Sequence, residues 1–215
     1  MKKISQKGRS MVEMLGVLAI VGVLSVGAIA GYSKAMFKYK LNKQSQQISQ
    51  IVSDVIKYKS VIIANAGSTT KHFETTLSYL KKLNVIPKEM IKTSTSAIYD
   101  ALDTEIMIGN YGDHQNIAAL VSFKINSSTR GKSSLDTCYN IFNIAKSFTD
   151  DLLSIGITGV DNEDVSNQSW YYGNMQRNCY ELDKCIRTMD MNLIHELCNT
   201  CTQLQRCSIQ YNVIN

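Results

Sequence analysis

The feature that most constrains this chain is an uninterrupted apolar segment close to its first residue. From Met14 to Gly31 the sequence runs for 18 residues without a charge, and extending the segment back to Met11 adds only one, Glu13. About 20 apolar residues are needed for a helix to cross the hydrocarbon core of a membrane. The preceding MKKISQKG contains three lysines and no acidic residue, which favours a cytoplasmic position for that end. The sequence therefore predicts a single membrane span.

Two familiar kinds of segment fit this pattern. A secretory signal peptide would be removed by cleavage, and Ala28-Ile29-Ala30 before Gly31 supplies the small residues that such a cut requires. A permanent single-span anchor also fits the length. Neither explains Glu13, because a carboxylate inside an apolar span costs roughly 2.5–3.5 kcal/mol on insertion scales and tends to be functional and paired.

Glu13 itself has two interpretations. Ser10 and Glu13 match the S-x-x-E capping box, which would start a helix at this point and offset part of the cost of the carboxylate. Alternatively, cleavage between Gly8 and Arg9 would create an α-amine four residues upstream of Glu13. A neighbouring copy of the chain would then present its amine to this carboxylate within a bundle of apolar helices.

These residues resemble the N-terminal motif of the type IV pilin family, the prepilins that include pilus subunits and the pseudopilins of type II secretion. The motif consists of a short basic leader ending in Lys7-Gly8, Glu13 at the fifth place after the cut, the apolar helix that follows, and Gly22 at the fourteenth place. The resemblance implies that a membrane-bound prepilin peptidase cuts between Gly8 and Arg9 and that Glu13 sets the register of subunits during assembly. Outside the first 60 residues the likeness is one of architecture only.

The chain departs from the family pattern at two positions. Arg9 stands where the family usually has an apolar residue, often phenylalanine, so that cleavage is implied while methylation of the new amine stays open. Ala30 stands where many pilins have proline, although Ser25, Gly27 and Gly31 give the helix local softness. Gly27-x-x-x-Gly31 also matches a close-packing helix motif, or arises by chance in a glycine-rich span.

The function that the resemblance implies is a structural subunit of a type IV pilus-like filament, with adhesion, motility or DNA transfer downstream. The chain would wait in the bacterial inner membrane as a single-pass protein until an assembly platform extracts it into an extracellular pilus of many copies. A pseudopilin or a minor tip pilin is the alternative within this class. An alternative of another class is a single-span, membrane-anchored periplasmic protein with redox or metal-binding cysteines. The filament reading needs no enzymatic activity and no cofactor or metal.

After Gly31 the sequence changes from wholly apolar to amphipathic without a helix breaker. Leu41, Ile48, Val55 and Ile62 recur every seven residues, with Ile51 and Tyr58 on the adjacent row, which predicts one apolar stripe along a helix. Gln44 interrupts the second row, so we expect the stripe to pack on the chain's own C-terminal region rather than in a coiled coil. The remaining faces are expected to be polar: Lys43, Gln46, Gln47, Ser49 and Asp54.

The sequence thus predicts an α+β protein in three parts: a leader over residues 1–8, one long helix over 9–64, and a globular head with a small antiparallel sheet over 65–215. Within the head we expect a short helix over 75–83, a β-hairpin of strands 105–109 and 117–125, and a second helix over 135–153 with Gly156 past its end. The cysteine-rich remainder stays unassigned. An apolar content of 44% excludes a disordered chain.

All six cysteines follow residue 137, and their number is even. Cys198-Asn-Thr-Cys201 alone fits half a zinc site or a redox pair, but export of the head into an oxidising space favours up to three disulfides. Pilins often have a disulfide that closes a C-terminal loop. By analogy with them, Cys138 is expected to pair with Cys198 or Cys207. The candidate disulfide residues are Cys138, Cys179, Cys185, Cys198, Cys201 and Cys207.

The remaining motifs are weaker. Arg130-Gly-Lys-Ser133 lacks the first glycine of a phosphate-binding loop, since Asn126 occupies that place, and is expected to be a solvated loop. The acidic run Asp161-Asn-Glu-Asp164 suits calcium, as in some pseudopilins, or simply solvent, which we favour. The histidines, His72, His114 and His195, are scattered.

Loss of the leader would lower the net charge from +5 to +2, which gives no electrostatic reason to expect nucleic acid. The lysines from Lys34 to Lys43 suit a membrane boundary instead.

Overall fold

The computed structural model describes residues 11–64, 73–94, 96–111, 118–126, 132–161, 164–203 and 206–213. The chain divides into two compact units, Met1–Lys40 and Leu41–Asn215. The long helix α1, Met11–Ala64, begins in the first unit and ends in the second, in close agreement with the helix predicted over 9–64. The leader over 1–8 lies outside the described residues.

The second unit contains the predicted mixture of helices and one antiparallel sheet, which confirms the α+β class. Its further helices are α2 (Phe73–Lys82), α3 (Lys132–Ala145), α4 (Arg177–Glu181) and α5 (Met191–Gln203). Its strands are β1 (Ile98–Tyr99), β2 (Glu105–Tyr111), β3 (Ala118–Asn126), β4 (Leu152–Asp161), β5 (Asp164–Tyr172) and β6 (Arg206–Val213). Short 3-10 turns occupy Lys88–Met90 and Lys146–Phe148.

The six strands form one sheet in the order β1-β2-β3-β6-β4-β5, and every pairing between them is antiparallel. β2 and β3 form the predicted hairpin, with Ile108 opposite Val121. β6, the last strand in sequence, lies between β3 and β4 at the centre of the sheet. The sheet therefore cannot be completed until residues 206–213 have been incorporated.

One face of this sheet forms the hydrophobic core. Side chains alternate between the two faces of a strand, and the core receives alternate residues of the two central strands. From β3 these are Ala119, Val121, Phe123 and Ile125, and from β6 they are Cys207, Ile209, Tyr211 and Val213. The opposite face carries smaller polar groups, for example Ser122 and Ser208, whose hydroxyl oxygens lie 3.1 Å apart.

The second half of α1 contributes a buried stripe to the same core. Ile48, Val55 and Ile62 are fully buried and belong to it, as does Ile51 on the adjacent row. Placing Gln47 on a solvent face was wrong, because Gln47 is buried and its Oε1 accepts a hydrogen bond of 2.9 Å from the backbone N–H of Ala101. Ala101 is 54 residues from Gln47 in the sequence, so the periodicity of residues along α1 could not predict this hydrogen bond.

The predicted end of the second helix was also wrong. α3 stops at Ala145, the 3-10 turn continues to Phe148, and β4 begins at Leu152. Gly156 is therefore not a helix stop. It lies within β4 opposite Trp170 of β5, whose ring occupies the space that a Cβ at Gly156 would fill. The first helix of the head, in contrast, ends at Lys82, within one residue of the predicted end at 83, and Asn84 follows it in a left-handed conformation with φ of 54°.

Candidate functional site: an exposed apolar helix

The described part of the first unit consists of a helix whose apolar side chains are exposed. Large apolar residues from Leu15 to Ile29 keep 53–74% of their surface accessible. They lie on every side of the helix: at about 100° per residue, Leu15, Val23, Leu24 and Leu18 lie roughly 0°, 80°, 180° and 300° around the helix axis. α1 is long and apolar enough to cross a membrane by length and composition. An apolar surface of this extent marks a site of contact with lipid or with other proteins.

The glycines of this segment are not required by any close contact among the described residues. A Cβ added at Gly16, Gly22, Gly27 or Gly31 would meet nothing within 4 Å. Each glycine nevertheless costs a helix about 1 kcal/mol relative to alanine. Small residues of this kind allow two helix backbones to approach each other closely in an apolar environment.

The polar side chains within the segment are satisfied by the helix itself. Ser25 donates a hydrogen bond of 2.7 Å to the carbonyl of Val21, and Ser33 donates one of 2.9 Å to the carbonyl of Ile29. Their hydroxyl groups therefore carry no unpaired donor into an apolar medium, where such a donor would be costly.

Glu13 lies in the first turn of α1, and its side chain is exposed. A carboxylate at this position interacts favourably with the helix dipole. Ser10, the proposed capping partner, and Gly8 and Arg9, the proposed cleavage residues, lie outside the described residues. The geometry of the capping box and of the cleavage site therefore stays a prediction.

A group of lysines follows the apolar segment. Lys34, Lys38 and Lys40 are exposed, together with Tyr32 and Tyr39. From residue 14 to residue 53 the sequence has no acidic residue, so this part of α1 supplies no internal counter-charge. Tyrosine and lysine side chains at the end of an apolar helix are typical of a membrane–water interface.

The start of the second unit is held to the head by buried polar side chains. Gln44, fully buried, donates to the carboxylate of Asp100 at 2.7 Å and to the hydroxyl of Thr104 at 3.2 Å, and its Oε1 accepts from Asn140 at 3.0 Å. Asn140 also donates to the carbonyl of Leu41 at 3.2 Å. α1 is thus hydrogen-bonded to α3 and to the turn between β1 and β2.

Asp100 is the centre of this network. Its Oδ1 accepts the backbone N–H groups of Leu102 at 2.8 Å and Thr104 at 2.9 Å. Burial raises the pKa of this carboxyl above its ordinary value of 3.8, although the hydrogen bonds from Gln44 and Thr104 and from the backbone partly oppose the increase. The sequence did not reveal this group, because residues 44, 100 and 140 are far apart along the chain and share no local pattern.

The six cysteines form three disulfides: Cys138–Cys198, Cys179–Cys185 and Cys201–Cys207. The first joins α3 to α5 and is one of the two pairings expected from the pilin analogy. The third joins α5 to the central strand β6, and the second joins Cys179 of α4 to Cys185, six residues further along the chain. Together the bonds connect α3, α5 and β6 covalently.

The other candidate motifs do not form a site in the described part of the chain. Lys132 and Ser133 begin α3, so the prediction of a loop was wrong for these two residues. Arg130 and Gly131 of the same motif lie outside the described residues. His72, His114 and the centre of the acidic run at 162–163 lie outside the described residues. His195 is exposed on α5, where its Nδ1 pairs with the hydroxyl of Tyr139. Among the described residues, no three His, Cys, Asp or Glu side chains are grouped to hold a metal ion.

Comparisons with models of protein families, with curated proteins and with solved structures find no match to this chain.

Proposed function

We propose that this chain is a structural subunit of a filament of the type IV pilus kind, assembled through the first half of α1. The observation that carries the proposal is the exposure of the apolar residues from Leu15 to Ile29 on all sides of a helix whose first turn holds one carboxylate, Glu13. A plain membrane anchor needs the apolar surface but not a carboxylate at this position, where helix capping and the helix dipole offset only part of its cost.

The proposed life of the chain has two stages. In the first, α1 anchors the chain in the inner membrane while a prepilin peptidase removes residues 1–8. In the second, an assembly platform moves the helix from lipid into a bundle of identical helices, where the open sites at Gly16, Gly22, Gly27 and Gly31 allow close packing. Such head-to-tail contacts do not close on themselves, so they generate a helical fibre outside the cell.

The disulfides of the second unit are consistent with this destination. Disulfides persist in oxidising compartments such as the periplasm and the cell surface. All six cysteines are paired, so the cysteines of the proposed subunit stabilise the head rather than bind a metal. The proposal assigns the chain no enzymatic activity, no cofactor and no nucleic-acid partner.

The role of Glu13 is tested by exchanging it for alanine in the full chain. We expect Glu13→Ala to be cleaved and inserted into the membrane like the wild type, but to be lost from sheared filaments by at least about tenfold, since removing the partner of a charge in an apolar setting costs more than 1.4 kcal/mol. Glu74→Ala is the matched control, because Glu74 occupies the first turn of α2 in the head. Unchanged filament yield for Glu13→Ala would contradict the proposed role.

A further inference from the structure

Two of the three disulfides lie in contact with each other. The Sγ atom of Cys201, bonded to Cys207, is 4.0 Å from the Sγ atom of Cys138, which is bonded to Cys198. All four residues are 0–3% exposed. No proton lies between these two sulfur atoms, because both are already in disulfides, and so the short distance reflects packing of α3 against α5 rather than a hydrogen bond.

The position of the cysteines on α5 explains the contact. Cys198 and Cys201 are three residues apart on one helix, so their side chains lie on the same face, one turn from each other. That face is turned toward α3, which carries Cys138. Both cysteines of α5 therefore face Cys138: Cys198 is bonded to it, and the Sγ of Cys201 lies 4.0 Å from its Sγ.

We propose that Cys138, Cys198 and Cys201 form a disulfide-exchange site in the folded head. When a dithiol reductant opens the Cys201–Cys207 bond, the reductant becomes a disulfide and two thiols are left in the protein. The Cys201 thiolate then attacks the Cys138 sulfur, a Cys138–Cys201 bond forms, and Cys198 leaves as a thiolate that takes up the proton given up by Cys201. The second step is redox-neutral.

The reduction step changes which elements are covalently joined, whereas the exchange only transfers the α3–α5 bond from Cys198 to Cys201. Before reduction, α3 is bonded to α5 and α5 is bonded to β6. Afterwards α3 and α5 are still joined, but β6 has lost its covalent link. The Cys201–Cys207 bond is thus a redox-sensitive covalent link to the central strand β6. When it opens, α3 and α5 stay joined by a disulfide. This proposal does not depend on filament assembly, because it concerns the sulfur atoms of one head.

The test places a single thiol in the site without any reductant. In the full-length chain in detergent, Cys207→Ser leaves Cys201 unpaired. Because these cysteines are buried in the folded head, the protein is unfolded in guanidinium chloride at mildly acidic pH with N-ethylmaleimide present. It is then digested with trypsin and sequenced by mass spectrometry. Exchange predicts that the label is divided between Cys198 and Cys201. It also predicts that Cys138 is bonded to Cys201 in some molecules and to Cys198 in the others. A label found only on Cys201 would overturn the proposal.

Cys198→Ser examines the same site from the other side. It leaves Cys138 unpaired beside the Cys201–Cys207 bond, so exchange predicts that the label appears on Cys207 as well as on Cys138. Cys185→Ser is the control, and its label is expected on Cys179 alone. Label on Cys179 or Cys185 in either of the first two variants would indicate general scrambling in an unfolded head, and would count against exchange at a folded site.

Discussion

At the scale of single residues, the buried carboxyl of Asp100 makes the stability of the head depend on pH. Its pKa in the folded protein is above 3.8, its ordinary value. The folded state therefore binds more protons than the unfolded state between these two pKa values, and its stability decreases as the pH rises through that window. Asp100→Asn should remove this pH dependence.

The same substitution should also disturb the hydrogen bonds. Both oxygens of Asp100 accept from N–H donors, and the Oε1 of Gln44 is already used by Asn140, so an amide NH₂ at position 100 would face another donor. We expect a loss of about 1–3 kcal/mol in the free energy of unfolding. Trp170 is the only tryptophan, and its fluorescence reports unfolding of the head at each pH. The deficit of the variant should be larger near pH 4 than at pH 7, and a larger deficit at pH 7 would refute the direction of the shift.

Glycines in the head and in the apolar segment should respond differently to substitution by alanine. At Gly173 an added Cβ would overlap the backbone carbonyl oxygen of Leu152, which no side-chain rotation relieves. Gly173→Ala should therefore lower the thermal midpoint of the head, measured by circular dichroism or by Trp170 fluorescence. Gly27→Ala should leave that midpoint unchanged, because its site is open. Equal midpoints for the two variants would contradict this account of the backbone contact.

At the scale of elements, α1 has a buried and an exposed kind of surface, and the two should respond differently when a side chain is replaced by alanine. Ile51 is fully buried in the head core, whereas Leu24 is 67% exposed. Ile51→Ala should destabilise the head by about 2–5 kcal/mol, since it removes a buried side chain and leaves a cavity. Leu24→Ala should have no effect on unfolding of the head. The free energy of unfolding of both variants is measured by denaturation monitored by Trp170 fluorescence. A similar loss in both would contradict the division of α1 into an exposed first part and a part buried in the head core.

Sequence patterns predicted the elements whose signals are local. The apolar run and the heptad of Leu41, Ile48, Val55 and Ile62 were sufficient for α1. β6 also carries a local signal, since its apolar and polar residues alternate from Cys207 to Val213, but the surrounding cysteines obscured it. Gly156 was misread because a glycine after a helix and a glycine beneath a cross-strand aromatic ring look the same in sequence. The Cys138–Cys198 bond and the burial of Gln44 and Gln47 depend on contacts between distant segments, so no local pattern reveals them. The other two disulfides join cysteines six residues apart, but spacing alone does not select them among the possible pairings.

At the scale of the whole molecule, the position of β6 makes folding depend on the C-terminal end. β6 pairs with both β3 and β4 and supplies Cys207. A chain ending after Gln203 should therefore lose the centre of the sheet and become sensitive to protease throughout the head. A chain ending after Val213 retains all of β6 and should resist digestion like the full chain. Equal resistance of the two truncated chains would contradict this topology.

The central proposal is that α1 first anchors the chain and then assembles it, and that cleavage between Gly8 and Arg9 precedes assembly. The most direct measurement is the intact mass of the chain recovered from the membrane and from sheared filaments. We predict that both masses correspond to a chain beginning at Arg9, with or without one methyl group, and carrying three disulfides. A chain beginning at Gly31 would identify a secretory signal, and a chain beginning at Met1 would identify a permanent anchor; either result would contradict the account.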